Sequence, residues 1–118
     1  MFLLLLSVMT FFGVYALPMQ NPPAPSRDPS RILSQAVGPF IQKNCQTCHN
    51  TSLPSGSLAL EQLLAAPNSL AEQPDTWQNI AYRIRSGGMP PEGAPKPSKA
   101  DADAALELIS RAPAANPQ

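Results

Sequence analysis

The sequence has few charged residues, only two cysteines and a single histidine. Charged side chains make up 14% of its 118 residues, and eight basic residues balance eight acidic ones, so the formal net charge is zero. A neutral chain gives no reason to expect nucleic acid or an anionic membrane surface as a partner. Two cysteines are also too few for a disulfide-rich scaffold.

Aromatic residues are scarce as well. They make up 6% of the chain, and four of them lie in the first sixteen residues, which leaves Phe40, Trp77 and Tyr82 for the remainder. The length allows one compact domain at most. A domain of this size with three aromatic side chains has little material for a hydrophobic core, so we expect something other than side chains to complete it.

The N-terminus carries an apolar run without a charged side chain. Residues 2–17 read FLLLLSVMTFFGVYAL, which is short of the roughly 20 residues of a membrane-spanning helix. Small residues allow cleavage after Ala16, as in a secretory signal. We expect residues 1–17 to be a signal peptide, with an uncleaved membrane anchor as the alternative, and the protein to be periplasmic or otherwise exported. Thiols in such a compartment do not stay free without a partner.

Proline-rich segments flank a region of helical periodicity. Their composition predicts a spacer over residues 18–29 and a flexible tail over residues 112–118, with one domain over residues 30–111. Within that domain apolar residues recur at helical spacing, and no stretch shows sustained period-two alternation. The sequence therefore predicts an all-α domain without a sheet.

Capping residues and prolines mark where these helices begin and end. Asp28 before Pro29 signals the start of the first helix, which Gly38-Pro39 interrupts. Ser98 with Asp101 resembles a capping box and opens the last helix. The other predicted helices are Leu58–Ala66 and Asp75–Ser86, the latter capped by Asp75. Their expected inner faces include Trp77, Ile80, Ala81 and Ile84 in the helix from Asp75, and Ala102, Ala105, Leu106 and Ile109 in the last helix.

The motif with the clearest chemistry is Cys45-Gln46-Thr47-Cys48-His49. Cys-X-X-Cys-His is the attachment signature of c-type haem. Two thiols three positions apart on one helical turn reach two vinyl groups on the same edge of a porphyrin, and the histidine that follows projects its imidazole at the iron. The motif predicts one covalently attached haem c, with Cys45 and Cys48 as attachment residues and His49 as an iron ligand.

Three other interpretations of this motif are weaker. A zinc site needs four protein ligands, or three with a water, and the chain has no second cysteine pair or second histidine. A thioredoxin-like redox motif needs a βαβ context that is missing. A plain disulfide between Cys45 and Cys48 remains the alternative that requires no cofactor.

Met89 is the candidate for the second axial ligand. It lies in the segment Ser86-Gly87-Gly88-Met89-Pro90-Pro91. The glycines allow the backbone to approach a flat macrocycle and the prolines stiffen the loop, which a weak thioether ligand requires. A methionine that merely fills the core is the alternative. Ligation by His49 and Met89 raises the reduction potential relative to two histidines.

The stretch from Phe40 to Ile109 resembles the class I monohaem cytochromes c, most closely the planctomycete-type cytochrome c domain. The resemblance rests on CQTCHN, on SGSLAL over residues 55–60, on Trp77 and on RIRSGGMPPEGAPKPS over residues 83–98. It implies a small cytochrome c-like helical domain around one covalently bound haem, with His49 and Met89 as axial ligands and Cys45 and Cys48 as covalent ones. The last helix departs from the class I pattern because it lacks an aromatic residue.

Trp77, Arg83 and Arg85 are candidates for contacts with the haem propionates, since an arginine binds a carboxylate through two parallel hydrogen bonds. The alternative is a core tryptophan and solvated arginines. Residues 76–100 contain four basic side chains and one acidic one. This excess either steers an acidic redox partner towards the haem edge or compensates the propionates.

These features predict an exported one-electron carrier and no enzyme. Its expected partners are redox proteins that donate and accept the electron. Two alternatives stay open. One is a haem sensor or peroxidase-like domain in which Met89 leaves the distal position open, and the other is a non-haem thiol or disulfide protein.

Overall fold

The computed structural model describes residues 26–113. The predicted signal or anchor at residues 1–17, most of the spacer and residues 114–118 of the tail lie outside this range. In order, the described residues form α1 (Pro29–Ile32), a π-helical stretch (Leu33–Val37), α2 (Gly38–Asn44), a 3-10 turn (Ser55–Ser57), α3 (Leu60–Ala65), α4 (Ser69–Glu72), α5 (Pro74–Arg85) and α6 (Lys99–Arg111).

The prediction of an all-α fold is confirmed over these residues. They contain no strand, and the only β-type pairing between residues 26 and 113 is an isolated bridge between His49 and Pro54. Within the same range, none of the helices has the length and apolar character needed to cross a membrane.

The first helical run begins as its sequence predicts. The Asp28 carboxylate accepts hydrogen bonds from the Ser30 hydroxyl at 2.9 Å and from the Ser30 N–H at 3.0 Å. These bonds, the hydroxyl one first, lower the pKa of Asp28. Pro29 occupies the first helical position, where its missing N–H costs nothing.

Gly38 joins the π-helical stretch to α2, at the interruption that the sequence predicts. Its N–H donates to the carbonyl of Leu33, five residues back, and a Cβ built on Gly38 would lie 2.6 Å from that oxygen. The Leu33 carbonyl therefore lies too close to Gly38 for any residue with a side chain to fit at position 38 without a shift of the backbone. The wider turn keeps Leu33 and Val37 buried on one side of the run.

Replacing Gly38 by alanine is expected to lower the free energy of unfolding by about 1–3 kcal/mol, because the added methyl group must push the packed helical backbone apart. Urea denaturation followed by circular dichroism measures the change. Gly88→Ala is the matched control, since the nearest atom to its added Cβ lies at 3.5 Å. Equal stability of the two variants would contradict the close approach at Gly38.

The middle helices depart from the prediction in three details. The predicted helix Leu58–Ala66 is shorter, Leu60–Ala65, because Leu58 and Ala59 are extended. An additional helix, α4, fills the interval before α5. The prediction that Asp75 caps α5 is wrong, because α5 begins at Pro74 and Asp75 lies within its first turn. A carboxylate there still interacts favourably with the positive end of the helix dipole.

The start of α6 and the inner faces of α5 and α6 agree with the prediction in part. Ser98 accepts a hydrogen bond from the N–H of Asp101 at 3.1 Å, which confirms the cap. Buried residues are Trp77 and Ala81 in α5 and Ala105 and Ile109 in α6. The remaining predicted inner-face residues are only half-buried: Ile80, Ile84, Ala102 and Leu106.

The core lies between the first helical run and the later helices. Its most deeply buried side chains include Val37 and Ile41 from the first run, Leu60 from α3 and Trp77 from α5. The indole N–H of Trp77 donates to the hydroxyl of Ser69 at 3.3 Å, which explains why this serine is fully buried at the start of α4.

Candidate functional site

A cavity of about 780 Å³ opens beside the core and is lined by the four residues that the sequence predicts as attachment and axial residues. Cys45, Cys48 and His49 come from the turn after α2, and Met89 comes from the loop after α5. The volume lies in the range of about 300–1,000 Å³ that is typical of small-molecule sites. Cys45 and Met89, which are more than forty positions apart in the sequence, thus line the same cavity.

The walls of this cavity are largely apolar. Ile80 and Ile84 line it from α5, which explains why these two members of the predicted inner face are less buried than Trp77 and Ala81. Phe40 lines it from α2, and Leu58 lines it from the segment after the 3-10 turn. Helical periodicity finds the apolar face of α5, but it does not distinguish the part that packs in the core from the part that borders a cavity.

The Cys-X-X-Cys-His motif lies in a turn that continues from the end of α2. The sequence predicts that the two thiols lie on one helical turn. The helix ends at Asn44, so they lie instead in the turn that follows it. Helical hydrogen bonds nevertheless persist, because the carbonyl of Cys45 accepts the N–H of Cys48 at 3.2 Å and of His49 at 3.1 Å. Both cysteines and the histidine therefore remain on one compact turn.

Both backbone groups of His49, its N–H and its carbonyl, are hydrogen-bonded. Its carbonyl accepts the N–H of Leu60 at 3.0 Å, which ties the turn to the start of α3. Its side chain lines the cavity, and its Nδ1 atom is buried without a hydrogen-bond partner. A ring nitrogen enclosed in this way is unavailable to solvent, which leaves Nε2 as the nitrogen for a ligand in the cavity.

The two thiols have different environments. Cys45 is half-buried and Cys48 is exposed, and neither is in a disulfide. Burial raises the pKa of the Cys45 thiol from 9.0 to about 11. Because the thiolate is the reactive form, Cys45 is a poor nucleophile towards soluble reagents at neutral pH.

In the polypeptide alone, iodoacetamide is expected to modify Cys48 much faster than Cys45 at pH 8. The rise of the Cys45 pKa from 9.0 to about 11 alone lowers its thiolate fraction by about a hundredfold. The Cys45 rate should increase about tenfold per pH unit between pH 8 and 10. Peptide mass spectrometry measures both rates, with the chain unfolded in guanidinium as the control; equal rates in the folded protein would contradict the difference.

Met89 lies in a loop that is attached to the end of α5. Gly87 ends the helix with a positive φ of 75°, a backbone conformation that favours glycine. The N–H of Met89 then donates to the carbonyl of Arg83 at 3.0 Å. The Met89 side chain is 37% exposed and lines the cavity. It is therefore not a core-filling methionine.

The charged residues of the cavity wall are all basic. Arg83 lines it from α5 and Lys43 from α2, and no aspartate or glutamate between residues 26 and 113 lines it. Arg83 was expected here from the sequence, whereas Lys43 was not, although its position two residues before Cys45 near the end of a helix is a usable signal. Arg85 does not line the cavity. Two cations in a largely apolar wall favour a ligand that is mostly apolar and carries anionic groups.

Trp77 lies away from this cavity. Its side chain is 1% exposed within the core and its N–H is bonded to Ser69. It is not among the cavity-lining residues. The structure therefore does not bring Trp77 to the position expected of a cofactor-binding residue, and the alternative of a core tryptophan fits its surroundings.

The donor set suits an iron porphyrin better than a bare metal ion. Over residues 26–113 there is no group of three or more histidine, cysteine, aspartate or glutamate side chains that could together hold a metal ion. The cavity instead offers one imidazole, one thioether and two thiols along apolar walls. Such a set fits a large flat cofactor that brings its own iron ligands.

A comparison of the chain with protein-family models, with curated proteins and with solved structures finds no match.

Proposed function

We propose that the protein is an exported c-type cytochrome of the class I type, closest to the planctomycete-type domain, that carries single electrons. In this proposal one haem c is attached through Cys45 and Cys48, and His49 and Met89 are its axial ligands. The observation that carries it is the shared cavity: an attachment motif and a methionine distant in sequence line one apolar space of about 780 Å³.

When bound, the haem supplies an iron that alternates between the ferrous and ferric states. The chain supplies the rest. The turn at residues 45–49 orients the imidazole, and the apolar walls from α2 and α5 exclude water from it. Lys43 and Arg83 offset the charge of the anionic groups that a haem carries. No substrate bond is made or broken in this proposal, so the protein is not an enzyme.

The partners follow from the same features. Redox proteins are the expected donor and acceptor, and the basic residues of the cavity wall favour an acidic surface on at least one of them. Nucleic acid is not expected. Contact with a membrane would arise only through residues 1–17, if they are retained.

The deciding experiment is an absorption spectrum of the protein produced with a haem-attachment system. We expect the bands of a low-spin c-type haem, and a weak band near 695 nm in the oxidised protein that reports the bond between iron and the methionine sulfur. A product without haem absorbance would overturn the proposal and leave the thiol or disulfide protein.

The partial exposure of Met89 favours one second candidate, a haem sensor or peroxidase-like protein with an open distal position. Carbon monoxide separates the two. If Met89 is bound, the reduced protein binds the gas slowly at neutral pH because the thioether must leave first. Fast binding would establish the open site.

A further inference from the structure

The residue after the attachment motif, Asn50, makes more side-chain hydrogen bonds than any other residue between 26 and 113. Its Nδ2 donates to the carbonyl of Gln46 at 2.9 Å and to that of Thr47 at 3.0 Å. Its Oδ1 accepts from the N–H of Ser52 at 3.0 Å and from that of Leu53 at 2.8 Å. One side chain thus uses both of its polar atoms on the backbone on either side of His49.

These bonds close a small ring of backbone around the histidine. Gln46 and Thr47 lie inside the attachment motif, whereas Ser52 and Leu53 lie in the loop that returns to His49 through its bridge with Pro54. The N–H of Asn50 itself donates to the carbonyl of Leu53 at 3.2 Å. Without the Asn50 amide, two carbonyls and two N–H groups would lose this shared partner.

Two further hydrogen bonds connect the same loop to α3. The carboxylate of Glu61 accepts the N–H of Thr51 at 2.8 Å, while the N–H of Leu60 holds the carbonyl of His49. The loop is therefore fixed to the helix behind it. The imidazole Nδ1 has no hydrogen-bond partner among the described residues, so the hydrogen bonds at this atom's end of the ring do not fix its direction, whereas those of the His49 backbone fix the main chain that carries it.

We propose that Asn50 is a positioning residue that fixes the backbone of His49 and, through it, the direction in which the imidazole enters the cavity. The inference rests on the proposed function in naming the ring as an iron ligand. In most metal sites a hydrogen bond to the second ring nitrogen orients the histidine. Here the asparagine bonds to the main chain on either side of the histidine, while the second ring nitrogen has no partner among the described residues.

The first test uses the protein without cofactor. Asn50→Ala should raise the amide hydrogen-exchange rates of Ser52 and Leu53 by about tenfold, because both lose their acceptor. Asn50→Asp keeps an oxygen acceptor for these amides but loses the two donors, so it should retain most of their protection. Asn68→Ala is the matched control, since Asn68 makes no capping bond at α4. Unchanged exchange in Asn50→Ala would overturn the proposal.

The second test uses the haem-loaded protein well below its unfolding temperature. The paramagnetic NMR shifts of the haem methyl groups depend on the plane of the axial imidazole, and global stability does not move them. Asn50→Ala and Asn50→Asp should both shift them, whereas Asn68→Ala should not. Wild-type shifts in both Asn50 variants would overturn the positioning role.

The two tests separate the proposals. If the wild-type protein carries no haem, the proposed function fails, and with it the role of Asn50 towards iron, even where the exchange result holds. If the wild-type protein carries haem and the Asn50 variants leave its spectrum unchanged, only the inference about Asn50 fails.

Discussion

Replacing Cys45 and Cys48 together by serine is expected to abolish covalent haem attachment completely. Each thioether bond uses one cysteine sulfur, so the double variant has no sulfur left to bond, and a serine hydroxyl does not replace a thiol in the addition to a vinyl group. The wild-type protein made with a haem-attachment system should gain about 616 Da over its polypeptide mass. The double variant should show the polypeptide mass alone in denaturing mass spectrometry.

Thr47→Ala is the matched control, because Thr47 lies between the two cysteines and is exposed. It changes the motif without removing a thiol, and it should retain the full added mass. A wild-type protein that instead loses two hydrogens would point to a disulfide between Cys45 and Cys48. That result would contradict the cytochrome interpretation, whatever the fold.

Replacing Met89 by alanine is expected to remove the band near 695 nm and to lower the reduction potential by an amount on the order of 100 mV. A thioether ligand stabilises ferrous iron relative to harder ligands, and axial ligands set haem potentials over a wide range. The variant should also bind carbon monoxide faster than the wild-type protein. Spectroelectrochemistry and stopped-flow mixing measure these changes.

Met19→Ala is the control for this experiment, because Met19 belongs to the predicted spacer. It should leave the spectrum, the potential and the gas binding as they are in the wild-type protein. If Met89→Ala also leaves all three unchanged, Met89 is not a ligand, and the open-site interpretation takes its place.

Much of the helical content could be predicted from the sequence because local signals control it. Asp28, Ser98 and the periodic face of α5 act over one or two turns. The structure confirms the caps at Asp28 and Ser98, and it buries two of the four predicted inner-face residues of α5, Trp77 and Ala81. The start of α5 was missed by one residue, because Pro74 takes the first helical position and displaces Asp75 from the cap. Helix α4 was missed because it is a single turn, and its buried residues, Ser69 and Leu70, pack against other elements.

In the candidate site, too, features set by local sequence were predicted, and features set by contacts between elements were not. The attachment motif and Met89 carry their chemistry in their immediate sequence, and so both were predicted. Lys43 enters the cavity wall only because α2 packs where it does. The position of Trp77 was ambiguous because an indole serves equally well in a core or beside a cofactor, and only the tertiary packing distinguishes them. Asn50 was missed because its bonds depend on the exact path of the loop.

The hydrogen bonds around the attachment turn all join residues that are close in sequence. The longest, from Leu60 to His49 and from Thr51 to Glu61, span about ten residues. Loops of that length close in about 10–100 ns, and their closure entropy is small. Met89 lines the same cavity from the loop after α5, 40 residues beyond His49, so its approach closes a much longer loop. We therefore expect the turn at residues 45–49 to form before the Met89 loop docks, and under the proposed function a haem-attachment machinery would meet this turn while the loop is still open. Pulsed hydrogen exchange would show earlier protection at Leu60 than at Met89.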